Sequence, residues 1–235
     1  MIKLTGLSVF FPAYNEESRV AMTVNKALKV LPKVAKRWEV ILVNDGSTDK
    51  TGKVIDKLAK KNRSVNVVHH KINRGYGGAF KSGLYGGKYE WIAFTDSDGQ
   101  FDFAEIENFI IKQRETGADM VIGYYKKRQV DKTKILTSKM WEYLVFILFG
   151  LKVRDIDCGF KLISKKIVEA IPNLESERGA FISSELLIKA QKKGFKIVEI
   201  PVTHYPRAGG TGTGRDIKVI LNSFKDLMKL WMKLV

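Results

Sequence analysis

The sequence YEWIAFTDSDGQF, from Tyr89 to Phe101, joins an apolar run to two aspartates and indicates which kind of fold the chain adopts. The apolar residues before Asp96 are typical of a strand that is buried on both faces of a sheet. Asp96 and Asp98 then follow two positions apart, and carboxylates this close repel each other when both are ionised. We therefore expect a positively charged group to lie between them, at the carboxyl end of the strand.

Apolar strands and amphipathic helices alternate on both sides of this stretch. Strand-like runs occupy residues 7–14, 38–45, 65–70, 91–96 and 118–125, and helical patterns occupy residues 16–31, 47–61, 77–87 and 103–117. Ser47 or Thr48 is the expected N-cap of the second helix. This alternation predicts an α/β fold, Rossmann-like, with a mostly parallel sheet and helices on both faces.

The second half of the chain is less regular. The pattern predicts helices over residues 135–150 and 183–194, a strand over 195–205, a glycine-rich loop over 207–215 and a last helix over 216–235. A chain of 235 residues buries one substantial core, and neither an internal repeat nor a linker divides it. We therefore expect one catalytic domain over residues 1–215, followed by an amphipathic helix over residues 216–235.

Polar side chains follow three of the predicted strands. Asn15 and Glu16 come after the first strand, Asn44 and Asp45 after the second, and Asp96 and Asp98 after the fourth. In parallel sheets the carboxyl ends of the strands meet at one edge, where ligands bind. Asp45 has two interpretations from the sequence: its carboxylate accepts hydrogen bonds from the ring of a base, or it caps the following helix.

The motif DSDGQ has the composition of a site for a hard divalent cation. Mg²⁺ and Mn²⁺ prefer oxygen ligands and commonly combine one or two carboxylates with substrate phosphates. Asp96, Asp98 and the amide oxygen of Gln100 can supply such ligands from one turn, and Gly99 allows the turn to be tight. A calcium-binding loop is disfavoured because the stretch does not complete the twelve-residue pattern of such loops. The alternative is a turn in which the aspartates bond to the backbone and face solvent.

The net charge of the chain is +16, from 41 basic and 25 acidic residues. This excess indicates an anionic partner, either nucleic acid, a phospholipid surface or a phosphorylated substrate, although a lysine-rich surface also serves solubility.

The longest apolar run, Tyr143–Leu151, is about half the length that spans a bilayer. Cys158 is the single cysteine, which excludes an internal disulfide and fits a reducing compartment. The first residues lack the pattern of a signal peptide.

Two nucleotide-binding motifs are excluded by spacing. The stretch NRGYGGAFKSG lacks the G-x-G-x-x-G spacing and follows the third strand, so it is not a dinucleotide loop, and the chain has no P-loop. Gly75, Gly77 and Gly78 instead indicate close approach of the backbone to a ligand or to a neighbouring loop. The histidines His69, His70 and His204 show no metal-ligand spacing and are expected to be structural.

Four motifs in order, PAYNEE, VNDGSTD, NRGYGGAFKSGL and DSDGQF, resemble the inverting family-2 glycosyltransferases with the GT-A fold. Gln100, RDIDCGFKL and IPVTHYPRAGG make the chain similar to the dolichyl-phosphate mannose synthase branch, which includes polyprenyl-phosphate glucosyltransferases. The resemblance covers roughly residues 5–215. It implies transfer of a sugar, from a donor of the GDP-mannose or UDP-glucose type, to dolichyl or polyprenyl phosphate with inversion. The alternative acceptor is a hydroxyl of a saccharide or another soluble molecule.

The resemblance also implies roles for individual residues. The residues that would bind the nucleotide sugar are Pro12, Ala13, Tyr14, Glu16, Asp45, Asp96, Ser97 and Asp98, with Asp45 at the base and Ser97 near the ribose. Asp96, Asp98 and Gln100 would hold Mg²⁺ or Mn²⁺ on the diphosphate. Arg128 and Lys134 would bind the acceptor phosphate, and Arg207 would approach either the acceptor phosphate or the donor diphosphate. GYYKKRQ carries several basic residues in a row, so the one that binds the acceptor stays open.

The expected chemistry follows from charge. The sugar passes through an oxocarbenium-like state while the nucleoside diphosphate leaves with negative charge, which the metal at Asp98 and the Arg207 guanidinium would stabilise. A lipid phosphate is already anionic, so it needs positioning more than a general base. Glu185 or Asp155 would serve as the base for a hydroxyl acceptor, but Glu185 also fits a purely structural acid early in a helix.

The last helix has the pattern of a helix that lies on a membrane surface. Its apolar face consists of Ile217, Ile220, Leu221, Phe224, Leu227, Met228, Trp231 and Leu234, with lysines on one flank. The helix around Trp141, Tyr143 and Phe146 is a second candidate contact. The alternative is that both helices pack on the core or on a partner chain, which could be a separate membrane protein. We expect a cytoplasmic protein that is peripheral on the cytoplasmic face, and no binding of nucleic acid, because the acids at the strand ends would repel it.

Overall fold

The computed structural model describes residues 3–126, 132–179, 181–206 and 217–234. The strands are β1 (Leu4–Ala13), β2 (Ala35–Asn44), β3 (Val65–His69), β4 (Trp91–Thr95), β5 (Met120–Tyr125), β6 (Phe160–Ser164) and β7 (Ile197–Val202). The helices are α1 (Val20–Val34), α2 (Thr51–Lys61), α3 (Tyr76–Gly86), α4 (Ile106–Thr116), α5 (Lys132–Phe149), α6 (Lys165–Ala170), α7 (Phe181–Lys192) and α8 (Ile217–Leu234). A 3₁₀ turn at Phe103–Glu105 precedes α4.

The seven strands form one sheet in the order β3-β2-β1-β4-β6-β5-β7. All neighbouring strands are parallel except β6, which runs antiparallel to both β4 and β5. The mostly parallel α/β sheet predicted from the sequence is therefore confirmed. The chain moves outward from β1 to β3 and then returns to place β4 on the other side of β1. This arrangement makes the carboxyl ends of β1 and β4 the switch point at which open α/β sheets bind ligands.

Both faces of the sheet are covered by helices. Alternate residues of β1 point to opposite faces, so that Phe11 packs with α1 and α4 whereas Phe10 packs with α3 and α7. Phe10 lies 5.2 Å from the ring of Phe80 and 5.0 Å from that of Phe94, between ring centroids. These apolar layers fix the strands whose ends carry the polar residues.

The predicted N-caps of the second helix are wrong. The helix α2 begins at Thr51, and the Asp49 carboxylate accepts a hydrogen bond from the Thr51 backbone N–H at 2.8 Å. Ser47 and Thr48 instead bond to the loop after β1: the Ser47 hydroxyl accepts from the Asn15 N–H at 3.0 Å, and the Thr48 N–H donates to Asn15 Oδ1 at 2.9 Å. The two loops are thus joined at the edge of the sheet.

The helix α8 packs against α7 through part of its apolar face. Leu227 and Leu230 are buried in the core between the two helices, whereas Leu221, Phe224 and Met232 are largely exposed. The boundary at residue 215 stays a prediction. Within the described ranges, no helix combines the length and the apolar character that a membrane crossing requires.

The helix α5 also divides its aromatic residues between the core and solvent. The Trp141 indole N–H donates to the Ser184 hydroxyl at 3.1 Å, and its ring packs edge-on against Phe181. Tyr143 and Phe146 are exposed on another side of the helix, together with Met140 and Ile147. The prediction of a second surface contact therefore rests on the exposed residues and not on Trp141.

Candidate functional site

The acidic turn after β4 lies at the switch point and is tied to its neighbours by Ser97. The buried Ser97 hydroxyl donates to the Pro12 carbonyl oxygen at 2.7 Å, and the Ser97 carbonyl accepts from the Thr23 hydroxyl at 3.1 Å. The turn is therefore fixed to the end of β1 and to α1. Asp96 and Asp98, on either side of Ser97, are both half-buried at this edge.

The turn itself has the geometry of an Asx-turn. Asp98 Oδ1 accepts the Gln100 backbone N–H at 3.0 Å, and Gly99 adopts a φ of 79°, which favours glycine. The Gln100 side-chain amide donates to the Tyr205 carbonyl at 3.0 Å, while the Tyr205 N–H donates to the Gln100 carbonyl at 2.9 Å. The segment after β7 thereby closes over the turn and orients the Gln100 amide.

Gly159 leaves room for the carboxylate of Asp96. A Cβ atom at Gly159 would lie 2.1 Å from Asp96 Oδ2, so any side chain there would displace the carboxylate. The antiparallel pairing of β6 with β4, which places Phe160 opposite Thr95, brings this glycine to the site. The oxygen atoms of Asp96 and Asp98 are donors of the kind that a hard divalent cation such as Mg²⁺ or Mn²⁺ prefers.

The described side chains do not form a closed metal cage. No group of three His, Cys, Asp or Glu residues among them is arranged to hold a metal ion. A divalent cation at Asp96 and Asp98 would therefore take further ligands from elsewhere, as Mg²⁺ does when it binds substrate phosphates. The roles of Asp96, Asp98 and Gln100 as ligands stay predictions, with which this donor set is compatible.

Asp45 organises the loop after β3. Its buried carboxylate accepts the backbone N–H groups of Arg74 and Gly75, each at 2.9 Å. Asp45 Oδ1 also lies 2.6 Å from His70 Nδ1, and His70 Nε2 lies 2.9 Å from the Ser82 hydroxyl. His70 is thus structural, as expected. Recognition of a base by Asp45 stays a prediction, and the same carboxylate would have to hold this loop while it contacts the base.

The loop after β1 presents one exposed aromatic side chain. Tyr14 is 43% exposed at the rim, whereas the Glu16 side chain is buried and accepts from the Arg19 guanidinium at 3.0 Å. The Glu16 backbone N–H donates to the Thr51 hydroxyl at 2.8 Å, which ties the loop to α2. Pro12 and Ala13 belong to the end of β1 below this rim. The predicted nucleoside-binding residues are therefore brought to one edge, and their contacts with a nucleoside stay predictions.

The glycines at the start of α3 serve close approach of a neighbouring loop. A Cβ atom at Gly77 would lie 2.7 Å from the Glu177 carbonyl oxygen, and one at Gly75 would lie 2.8 Å from Arg178 Cα. The Gly78 N–H donates to the Glu177 carbonyl at 2.9 Å. Of the two interpretations of this motif, the structure shows the contact with a protein loop.

Tyr76, within the same motif, is a candidate site residue that the sequence interpretation missed. Its ring packs near Phe80 and Phe94, with centroid distances of 6.4 and 6.2 Å. Burial, followed by the charges of Asp96 and other groups including Asp98, raises the pKa of the Tyr76 phenol well above its ordinary value. The hydroxyl therefore stays protonated in the field of the acidic turn. A tyrosine among glycines was the available signal.

The start of β6 and the turn before it contribute three further buried groups. Lys161 is completely buried, and its ammonium donates to the carbonyl oxygens of Ile156, at 3.4 Å, and Cys158. Burial raises the pKa of the Cys158 thiol to about 12. Asp155 is buried beside them and accepts the Asp157 N–H at 3.1 Å. The sequence interpretation did not single out Lys161, although a lysine inside the apolar run GFKLIS is a visible signal.

Glu185 has the structural role that the sequence left open. Its buried carboxylate accepts the backbone N–H groups of Glu175 and Ser176 at 2.8 and 2.9 Å, and the Lys189 ammonium at 2.6 Å. These contacts commit the carboxylate to the fold of the 175–176 loop.

Two of the predicted phosphate-binding residues, Arg128 and Arg207, lie outside the described residues, as does the side chain of the third, Lys134.

The chain matches one family over most of its length. The profile of Glycosyl transferase family 2 matches residues 8–171. The dolichyl-phosphate beta-glucosyltransferases of Saccharomyces cerevisiae and Homo sapiens are 32% and 34% identical, over 84% and 83% of this chain and 66% of each relative. Glycosyltransferase AglD of Haloferax volcanii is 28% identical over 97% of this chain and 37% of its own length. The chain thus spans just under two thirds of the first two relatives and about a third of the last.

Solved structures share the fold at low identity. Mannosyl-3-phosphoglycerate synthase from Rubrobacter xylanophilus superposes with a TM-score of 0.74 at 15% identity, over 98% of this chain and 74% of its own. Glucosyl-3-phosphoglycerate synthase from Mycobacterium tuberculosis gives a TM-score of 0.71 at 18% identity, over 94% and 80%. The same mycobacterial protein has been crystallised with Mn²⁺ and UDP-glucose. At these identities the likeness establishes a common GT-A fold.

Proposed function

Because the chain belongs to glycosyl transferase family 2, we propose that it transfers a hexose from a nucleoside-diphosphate sugar to a polyprenyl phosphate of the dolichyl type, with inversion. The observation that carries the proposal is the acidic turn of Asp96 and Asp98 at the switch point between β1 and β4. Two carboxylates that are held there, with Asp96 accommodated by the absence of a side chain at Gly159, suit a cation that binds a diphosphate.

The names of the relatives support the acceptor and favour glucose as the sugar. The yeast and human proteins are named for transfer of glucose to dolichyl phosphate. The proposed donor is therefore UDP-glucose, with GDP-mannose as the competing donor. A lipid phosphate also agrees with the commitment of Glu185 to the protein backbone, since an anionic acceptor does not require a general base.

The proposed mechanism divides the work among a few residues of the edge. Asp96 and Asp98, with the Gln100 amide, would hold Mg²⁺ or Mn²⁺, which when bound supplies positive charge to the leaving diphosphate. Ser97 fixes the turn to β1 and so keeps the two carboxylates in place. Asp45 holds the loop at Arg74 and Gly75 that borders the donor site. Arg207, Arg128 and Lys134 stay the proposed contacts for the donor and acceptor phosphates.

The proposed encounter with the lipid uses the exposed parts of α5 and α8. Met140, Tyr143 and Ile147 are spaced i, i+3 and i+7 on α5 and are all largely exposed. On α8, Leu221, Phe224 and Met232 are exposed as well. The +16 charge favours an anionic membrane surface, where each lysine or arginine contributes about 1 kcal/mol. We infer a peripheral protein on the cytoplasmic face, and a separate membrane-protein partner stays a prediction.

The test offers labelled nucleotide sugars together with dolichyl phosphate and Mn²⁺, followed by organic extraction of the product. We expect transfer of label from UDP-glucose into the organic phase, and its loss in Asp98→Ala. The matched control is Asp102→Ala, because Asp102 caps the neighbouring 3₁₀ turn through the Ala104 N–H at 3.0 Å and has no role in the proposed site. Transfer that persists in Asp98→Ala, or transfer only to a soluble hydroxyl, would contradict the proposal.

A further inference from the structure

Lys161 is a completely buried lysine in the middle of the sheet. It belongs to β6, where it pairs with Phe94 of β4 on one side and Ile122 of β5 on the other. Its ammonium lies 5.9 Å from the centroid of the Phe94 ring. An ionised group in such surroundings is costly unless polar groups surround it, so its presence calls for a physical reason.

Backbone carbonyl groups, and not carboxylates, hold this ammonium. It donates to the carbonyl oxygen of Cys158 and, at 3.4 Å, to that of Ile156. For the parts of the chain that the structure describes, no carboxylate oxygen lies within the 4.0 Å ion-pair distance of Lys161. Burial lowers the pKa of the lysine, and the nearby charges of groups that include Asp155 and Asp96 oppose this shift.

The two carbonyls belong to the turn that leads into β6. Asp155 begins this turn and accepts the Asp157 N–H at 3.1 Å. The carbonyl of Cys158 and the N–H of Gly159 are parts of one planar peptide, so a hydrogen bond that fixes one of them also fixes the other. Gly159 in turn lies against Asp96, close enough that a Cβ atom would overlap Oδ2. A short and rigid path therefore connects the Lys161 ammonium with the Asp96 carboxylate.

We propose that Lys161 is a positioning residue for Asp96: it fixes the Cys158–Gly159 peptide, which limits the Asp96 carboxylate to the orientation in which it binds a divalent cation. This inference rests on the proposed function, in which Asp96 is a metal ligand. Lys161 contacts neither the cation nor the sugar in this role. Its effect is confined to the affinity for the metal.

The test replaces Lys161 by methionine, which has nearly the same length and no donor. Mn²⁺ is titrated into the full chain in the presence of saturating UDP, or of GDP if the wild type prefers it, by calorimetry. We expect the dissociation constant for Mn²⁺ to rise at least tenfold in Lys161→Met. Without ligand, the midpoint of thermal unfolding should change by only a few degrees, because loss of a buried charge offsets loss of its hydrogen bonds. A merely structural role would lower the midpoint and leave the Mn²⁺ affinity of the folded fraction unchanged.

Lys165→Met is the matched control. The Lys165 ammonium also donates to a backbone carbonyl, that of Gly87. Lys165, however, directly follows the last residue of β6, at the end of the strand that is remote from Gly159. The same substitution there should leave the Mn²⁺ affinity unchanged.

Two results would overturn the proposal. Unchanged Mn²⁺ binding by folded Lys161→Met would remove the positioning role, and tighter binding would mean that the lysine only repels the cation.

If the variant does not fold, a crystal structure of the wild type with Mn²⁺ and nucleotide decides. The ammonium must still bond to the carbonyls of residues 156 and 158, and its movement onto a phosphate or onto Asp96 would refute the inference. A wild type that binds no nucleotide with Mn²⁺ would instead refute the proposed function, and this inference with it.

Discussion

Substitution of Gly159 by alanine is the smallest change that reaches the acidic turn. The added methyl carbon would lie 2.1 Å from Asp96 Oδ2, 2.9 Å from Asp96 Cγ and 3.1 Å from Phe101 Cε2. Ordinary contact begins at 3.4 Å, so the carboxylate or the strand must move by about 1.3 Å. The backbone of Gly159 does not have a positive φ, so the methyl group itself, and not backbone strain, causes the effect.

The expected effects on binding and on folding are of similar size in free energy, so the two are measured separately. A displacement of about 1 Å of a group that must be in place for a reaction lowers the rate on the order of 100-fold, and we expect a loss of the same size in affinity. For Mn²⁺-dependent nucleotide binding, this corresponds to about 2.7 kcal/mol. Overpacking destabilises a fold by about 1–3 kcal/mol. In a chain of 235 residues, each kcal/mol lowers the midpoint of thermal unfolding by roughly 2–4 °C.

Calorimetric titration of nucleotide into Gly159→Ala, with and without Mn²⁺, measures the effect directly. Affinity in the presence of Mn²⁺ should fall about 100-fold, and the difference between the two conditions should disappear. Gly86→Ala is the control, because its methyl group would meet only Ile41 Cδ1 at 3.6 Å and it lies at the end of α3. Wild-type Mn²⁺-dependent affinity in a folded Gly159→Ala protein would refute the reasoning that Asp96 binds the cation.

Four further predictions concern groups around the site and the lysines of α8. Tyr76→Phe should weaken Mn²⁺-dependent nucleotide binding by about three- to tenfold. Tyr85→Phe should not weaken it, because the Tyr85 hydroxyl donates to the Ile171 carbonyl at 2.8 Å and not to the acidic turn. Glu175→Gln releases two lysines of α8, at 2.7 and 3.6 Å, and should raise affinity for anionic vesicles two- to fivefold in a flotation assay; Glu177→Gln, whose partners lie elsewhere, should leave it unchanged. Because the pKa of Cys158 is about 12 in the fold, iodoacetamide at pH 8 should modify the native thiol at least 100-fold more slowly than the unfolded one. For the same reason the free energy of unfolding should fall as pH rises from about 9 towards 12, since only the unfolded thiol ionises there.

The alternation of strands and helices predicted the first five strands, because a parallel sheet buries its strands on both faces and leaves continuous apolar runs. The strand β6 was not predicted, and its direction does not follow from its sequence, since an apolar run of five residues has the same composition in either direction. The N-cap of α2 was wrong for a related reason. Ser47 and Thr48 have the chemistry of caps, but Asn15, which is 32 residues or more away in sequence, uses them.

The candidate site was predictable to the extent that it follows the strand ends. The motif at Asp96 and Asp98 signals its position and its chemistry, because parallel strands bring their carboxyl ends together. Gly159 and Lys161 were missed because they come from the other half of the chain and reach Asp96 only through the antiparallel pairing of β6 with β4. A lysine within an apolar run that directly follows a glycine is unusual for a buried strand. The sequence does not indicate which strand will lie beside these two residues.

The tripeptide 175–177 joins the two surfaces that the proposed reaction requires. On one side, the Glu175 carboxylate accepts the Lys233 ammonium of α8 at 2.7 Å. On the other, the Glu177 carbonyl accepts the Gly78 N–H at 2.9 Å, next to the loop that Asp45 holds. The buried Glu185 carboxylate accepts two backbone N–H groups of the tripeptide. The tripeptide therefore cannot shift towards one surface without losing hydrogen bonds to the other. If α8 lies on the lipid surface, this segment connects that surface with the loop beside the proposed donor site.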